Sequence, residues 1–218
     1  GYDIQPRQAK NFTVVKALNS IEPDVFVVCV PTKQVETACK AVASTGKLVL
    51  IESTMQIGTS RKIGESLNVK LLAHCPHRYW KLSPILHGVK QVRVLGAINS
   101  ESLELAKKFY STAEIPVCLV SSVEVAEASK LVENAWRFVN IAFVEEAKML
   151  CEKLGLNFKE VRRACNTKWN TCLLAARDGI GGVCLPRDIR LLTQLYQEDG
   201  LMKAAVDTDK KYKMKYSQ

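Results

Sequence analysis

Up to about residue 120 the chain alternates short β-branched runs with segments of helical period, and beyond that point it does not. "DVFVVCV" is followed by "QVETACKAVAS", and "KLVLIES" by "TSRKIGESL"; then come "VKLLAH", "QVRVLGA", the helical "SESLELAKKFYS" and "IPVCLVS". Strands separated by helices at this spacing predict right-handed crossovers and a parallel sheet. The runs are apolar along their whole length, as suits strands covered on both faces. After Ser122 the texture changes to "VEVAEASKLVENAWRFVNIAFVEEAKMLCEKLG", one helical stretch that Gly155 ends, with shorter helices following to the C-terminus. A helix of that length is too long for one crossover and predicts a spine between domains or subunits.

The longest apolar run, "VFVVCV", is far too short to span a bilayer, which predicts a soluble protein without membrane insertion. No charged start with an apolar stretch and small-residue cleavage site opens the sequence, so no secretory signal is expected. The eight cysteines form no CxxC pair and mostly sit within apolar runs, which fits a reducing cytoplasm. His74, Cys75 and His77 gather in "AHCPHRYW", but no second cluster with zinc spacing accompanies them, and no metal is expected. The net charge of +9 would suit nucleic acid, an anionic membrane surface, or small anions such as dinucleotides and nucleotide sugars. Part of it lies in "KKYKMK", expected to be a solvated end, and no helix carries a basic stripe interleaved with exposed aromatics, which argues against nucleic acid.

Three places carry candidate chemistry. Most of the spine is apolar all round, as in a buried helix, but Glu127, Lys130, Asn134 and Arg137 recur at spacings of three and four and share one stripe. That stripe is either a solvent face, with Glu127 and Lys130 as an i,i+3 pair, or a row aimed into a cleft, where Lys130 and Asn134 could stabilise negative charge on a substrate oxygen. Open α/β sheets bind ligands beyond the carboxyl edge of their strands, where "VVCVPT" delivers Pro31 and Thr32 and "LVLIEST" delivers Glu52, Ser53 and Thr54. These residues either cap the next turn or contact a cofactor. In "GIGGVCLPRD", Gly181 and Gly182 let backbone pass close to a ligand, and Pro186 suits the first turn of a helix that would face Cys184 with its positive end. Helix dipole and the adjacent Arg187 both favour thiolate, and Asp188 is placed to accept a proton or hold a water.

These residues resemble the NAD-dependent nucleotide-sugar 6-dehydrogenases, which oxidise UDP-glucose, UDP-N-acetylglucosamine or UDP-N-acetylmannosamine to uronic acids. The similarity runs in order through "GYDI", "VCVPT", "IEST", "GTS", "HCPHR", "AEASKLVENAWRFVNIAF", "EEAKMLCEKLG" and "GIGGVCLPRD". The resemblance implies an α/β fold: a Rossmann-like parallel sheet followed by a long spine helix and a small all-helical domain. Residues 1–120 would be an incomplete NAD-binding Rossmann-like domain, and residues 121–218 a central helical domain with the spine helix and the catalytic Cys loop. By match, Cys184 resembles the nucleophile, Lys130 and Asn134 the oxyanion-stabilising pair, Asp188 the acid that assists thiol and water, and Thr54 the threonine near the reacting centre. Asp3 matches the acid that holds the adenosine ribose, with Arg7 nearby; Val30, Pro31, Thr32, Glu52, Ser53 and Arg187 line the cofactor side, and Arg78, Gly181 and Gly182 the substrate side. Hydride transfer to NAD, a thiohemiacetal on the cysteine, a second hydride and hydrolysis of the thioester are the implied steps. The implied partners are a UDP-sugar and a second copy of the chain joined through the central helices. "HCPHR" looks more like the N-acetylhexosamine branch than the UDP-glucose branch.

Departures from the pattern also stand out. His77 occupies the place of the family's glutamate, "NTKWNTCLLAARDGIGG" lacks the proline-glycine lead-in and upstream arginine, and no GxGxxG occurs. The first strand, its pyrophosphate loop and the nucleotide-sugar domain have no counterpart in these residues, so the expectation is either part of a longer chain or a reduced relative with impaired cofactor binding. A β-hydroxyacid dehydrogenase-like single oxidation without a thiol, and a non-catalytic assembly module, are the competing expectations.

Overall fold

The computed structural model describes residues 1–3, 13–79 and 83–216; the expected contact of Arg7 lies outside the described residues. Strands β1 (Val25–Val28), β2 (Leu48–Ile51), β3 (Leu72–His74), β4 (Arg93–Ala97) and β5 (Val117–Leu119) form one sheet in that order. Helices α1 (Val35–Val42), α2 (Thr59–Ser66) and α3 (Ser100–Thr112) follow β1, β2 and β4. Each strand lies inside the apolar run that predicts it.

The sheet departs from the expected all-parallel form at one joint. β1 to β3 pair parallel and so do β4 and β5, but β4 runs antiparallel to β3, with Ala73 opposite Ala97 and His74 opposite Gly96. A parallel crossover needs a helix to carry the chain back across the sheet. The stretch between β3 and β4 contains Pro76 and Pro84, and its described helical part is one turn at Ile85–Val89. The chain therefore stays at the carboxyl edge of β3, and β4 starts from there.

β2 shows why an interior strand is apolar throughout. Val49 and Ile51 pack with Val35, Cys39, Ile63 and Leu72 on one face, while Leu48 and Leu50 pack with Ala73, Leu95, Ala106 and Tyr110 on the other. Each such side chain contributes roughly 1.5–3 kcal/mol by leaving water. β1 is different, with Val27 exposed.

The spine is α4 (Val123–Lys153). Ser122 caps its start, Oγ accepting the Val125 N–H at 3.4 Å. At its end Gly155 has φ +68°, and Leu156 N–H bonds the Cys151 carbonyl at 2.8 Å, a Schellman closure that requires the left-handed residue. Helices α5 (Phe158–Cys165), α6 (Cys184–Tyr196) and α7 (Leu201–Tyr216) complete the fold. Leu131, Ala135, Phe138 and Ala142 of α4 form a second core with Ile180, Ile189, Leu192 and Ala205. Burial all round the spine is not what this single chain provides: Val125, Val132, Trp136, Phe143 and Leu150 stand exposed along it, Trp136 at 66%. No helix among the described residues is long and apolar enough to cross a membrane.

Candidate active site

The polar stripe of α4 turns inward. Glu127 is fully buried and accepts the backbone N–H groups of Gly58 at 2.6 Å and Ser60 at 2.8 Å, the entry to α2. Burial raises its carboxyl pKa, against those hydrogen bonds. Next on the stripe, Lys130 is half-buried, and its pKa is lowered by desolvation, with the charges of Asp188 and Cys184 pulling the other way. Asn134 is buried, whereas Arg137 is exposed. The solvent-face reading thus holds for Arg137 alone.

Helix α6 begins at Cys184 itself, two residues before the expected start, so the thiol sits in the first turn and Pro186 follows within it. Cys184 is exposed. One turn on, Asp188 is fully buried; its Oδ2 accepts from Asn134 Nδ2 at 2.6 Å and its Oδ1 from Arg187 Nε at 2.6 Å. The two helices thereby bring Lys130, Asn134, Cys184 and Asp188 together from sequence positions fifty or more residues apart. Gly182 has φ +77°, a backbone that side chains rarely adopt, and neither Gly181 nor Gly182 has any neighbour where a Cβ would project.

At the carboxyl edge of the sheet, Ser53 ties β1 to β2: its hydroxyl accepts the Val30 N–H at 3.0 Å and donates to the Val30 carbonyl at 2.6 Å. Thr32 Oγ1 donates to the Thr54 carbonyl at 2.8 Å, and Pro31 is exposed beside it. The Glu52 carboxylate is engaged within the fold, paired with Arg93 at 2.5 Å and accepting from Tyr110 at 2.8 Å, with the Cys29 thiol 3.8 Å away. Burial and that carboxylate push the Cys29 thiol up to about 11. Arg78 is held by Glu133 of α4 and donates to the Val92 carbonyl at 3.1 Å. Burial, then the Arg93 charge, lower the pKa of His77. Asp3 is exposed, next to the single parallel bridge between Tyr2 and Val15.

For a dinucleotide, the described residues offer the exposed backbone corner after β1, knitted by Ser53 and Thr32, and the exposed Asp3. The Asp3 carboxylate suits the hydroxyl pair of a ribose, and no GxGxxG occurs in the sequence for the pyrophosphate.

Residues that patterning passes over complete the site. Glu133, Tyr212, Asp209 and Lys213 all touch its supports, the last three from the basic run expected to be solvated and the residues just before it. Tyr212 is fully buried and donates to the Arg177 carbonyl at 2.6 Å. The i,i+3 and i,i+4 spacing of Asp209, Tyr212 and Lys213 is the signal that could have shown one face of α7 turned inward.

Residues 124–212 match the profile of the UDP-glucose/GDP-mannose dehydrogenase family, central domain. A UDP-N-acetyl-D-mannosamine dehydrogenase of Methanococcus maripaludis is 30% identical over 215 residues, covering 90% of this chain and 50% of the relative. An NDP-N-acetyl-D-galactosaminuronic acid dehydrogenase of Ralstonia nicotianae is 30% identical over 216 residues, 85% of this chain and 51% of that one. Among solved structures, the UDP-D-ManNAc dehydrogenase of Pyrococcus horikoshii superposes with a TM-score of 0.82 at 30% identity, covering 91% of this chain and 53% of that chain. The chain spans about half the length of the curated relatives it matches. The central-domain profile thus lies on α4 to α7, and the sheet superposes on that of the Pyrococcus horikoshii enzyme as well.

Proposed function

We propose that these residues form the reacting centre of an NAD-dependent nucleotide-sugar 6-dehydrogenase that converts the C6 hydroxymethyl group of a UDP-sugar to a carboxylate. The observation that carries this reading is the meeting of Cys184 and Asp188 on α6 with Lys130 and Asn134 on α4. UDP-N-acetylmannosamine is the favoured sugar, from the names of the relatives and from "HCPHR"; UDP-N-acetylglucosamine and UDP-glucose are the other members of the class.

When bound, NAD takes up a hydride in each of the two oxidations. Lys130 faces the C6 oxygen; its lowered pKa brings it closer to sharing a proton, so it can assist removal of the hydroxyl proton and then stabilise the oxyanion. Asn134, fixed through one N–H by Asp188, keeps its other N–H for that oxygen. The Cys184 thiolate adds to the aldehyde carbon, and the oxyanion takes a proton to give a thiohemiacetal. Loss of the second hydride and that proton leaves a thioester, which water opens to a carboxylate and free thiol. Asp188 orients Asn134 and, with Arg187, the start of the helix that carries the sulfur. By its match to the family, Thr54 on the loop after β2 serves the reacting centre, and Arg78, Gly181 and Gly182 serve the sugar.

Residues 1–120 serve the cofactor and residues 121–218 the chemistry. The exposed stripe of α4 is the face on which a second copy packs, making a homodimer. Eight free cysteines suit a reducing cytoplasm.

The test uses the protein with any sequence that flanks these residues, and counts NADH formed per sugar consumed over a panel of UDP-sugars. Two NADH per sugar, lost in Cys184→Ser, is the expected result. One NADH per sugar, or Cys184→Ser with full turnover, would point to a single oxidation without the thiol.

A further inference from the structure

Between the last buried residue of the loop, Ile180, and the reacting sulfur lie Gly181, Gly182 and Val183. Neither glycine has a neighbour at its Cβ position, and Val183 is exposed. Bare glycine backbone is the least self-restraining segment a chain can have. The sulfur's position is therefore set by α6 on one side and by whatever holds Ile180 on the other.

What holds Ile180 is one face of α7. Its N–H donates to Asp209 Oδ1 at 2.8 Å, and its carbonyl accepts from Lys213 Nζ at 2.8 Å. The same Nζ donates to Asp209 Oδ2 at 2.7 Å, so the two side chains form a closed fork around the backbone of one residue. Three residues earlier, Tyr212 donates to the Arg177 carbonyl while accepting from Lys148 of α4 at 3.0 Å. Gly179 has φ +96°, and a Cβ there would lie 2.5 Å from Lys213 Cγ, so the lysine stem fills the space a side chain would need. The Ile180 side chain enters the core of α4 and α6.

We propose that α7 is the positioning element of the Cys184 loop, with Asp209, Tyr212 and Lys213 fixing the backbone from 177 to 180 so that the sulfur is kept within reach of the aldehyde carbon. The inference rests on the reading of Cys184 as the reacting thiol. Misplacement by about 1 Å can cost a hundredfold in rate, and the step that suffers is thiol addition. The first oxidation depends on Lys130 and Asn134, which stand on α4 and are not held by this loop.

The test compares Asp209→Ala, Asp209→Asn and Lys213→Met in the whole protein, by amide exchange over residues 177–184 and by NADH counted per sugar. Asp209→Ala and Lys213→Met are expected to speed exchange at Ile180 at least tenfold. They should shift the count from two NADH per sugar toward one, with free aldehyde appearing and KM changing less than twofold. Asp209→Asn keeps an oxygen facing the Ile180 N–H and should restore most of the second oxidation. Should Asp209→Ala fail to fold, the other two variants decide. Unchanged exchange, or faster exchange with the count still at two, overturns the proposal. Failure of the underlying reading shows up separately, as a Cys184→Ser protein that still yields two NADH.

Discussion

Asn134 Nδ2 stands 2.6 Å from Asp188 Oδ2 and joins the middle of the spine helix to the first turns of α6 in a place sealed from solvent. Asp188→Ala leaves the Asn134 amide without its buried acceptor and unpairs Arg187, a loss of about 2–4 kcal/mol. Asn134→Asp sets two carboxylates against each other and is expected to be worse. The double variant Asn134→Asp/Asp188→Asn restores a donor facing an acceptor and should recover part of the loss. Urea unfolding of the parent, Asn134→Asp, Asp188→Asn and the double variant measures this, and strict additivity of the two single effects would contradict the pairing.

Glu127 accepts two backbone N–H groups at the start of α2 from its buried position on α4. Glu127→Ala orphans both, at roughly 2–3 kcal/mol, which for a chain of this size lowers Tm by about 4–12 °C. Calorimetry of the variant gives the number directly.

Gly96 lies where β4 passes beneath the start of α4, and a Cβ there would fall 2.2 Å from the Ser122 carbonyl oxygen. Gly96→Ala must push the helix off the sheet and should destabilise by about 1–3 kcal/mol. By contrast Gly181→Ala meets open space and should leave Tm within a degree or two.

Glu145 of α4 is fully buried, and neither carboxyl oxygen has a hydrogen-bond partner among the described residues. Burial first, then the Asp209 charge, raise its pKa to about 7, with Lys213 opposing. The folded protein thus keeps this proton between pH 4.5 and about 7 while the unfolded chain has already released it. Stability from the neutral acid is complete below that window and is lost as pH rises through 7, on the order of 3 kcal/mol at most. Glu145→Gln should match the parent at pH 5 and exceed its Tm at pH 8.5. Parallel curves for the two proteins across that range would rule this out.

Trp136 and Phe143 lie two turns apart on the exposed side of α4. If a second copy covers them, Trp136→Glu should convert a dimer to a monomer by light scattering, with little change in helix content by circular dichroism. A parent that is monomeric at micromolar concentration would dispose of the dimer.

The strands were legible because a buried strand must be apolar along its length, and β2 meets that condition on both faces. The spine and its Gly155 stop were legible for the same kind of reason, since period and a left-handed cap are local. The reversal at β4 was not, because it depends on what the preceding stretch fails to form. Cys184, Lys130 and Asn134 stood out by spacing and by family resemblance, and the structure brings their helices together. The inward work of Glu127 and of Asp209, Tyr212 and Lys213 escaped pattern reading. Charged residues look alike in sequence whether they meet water or a distant peptide group, and here the partners lie some thirty to seventy positions away.

One turn of the spine separates Glu127, latched to the entrance of α2, from Lys130, which feels the charges of Asp188 and Cys184. A jaw that swung the sheet away from this helix would have to tear both of the Glu127 hydrogen bonds at once. Rotation at that joint is thereby resisted, whereas the exposed backbone at Gly181 and Gly182 has nothing packed where a side chain would project and is the softer margin.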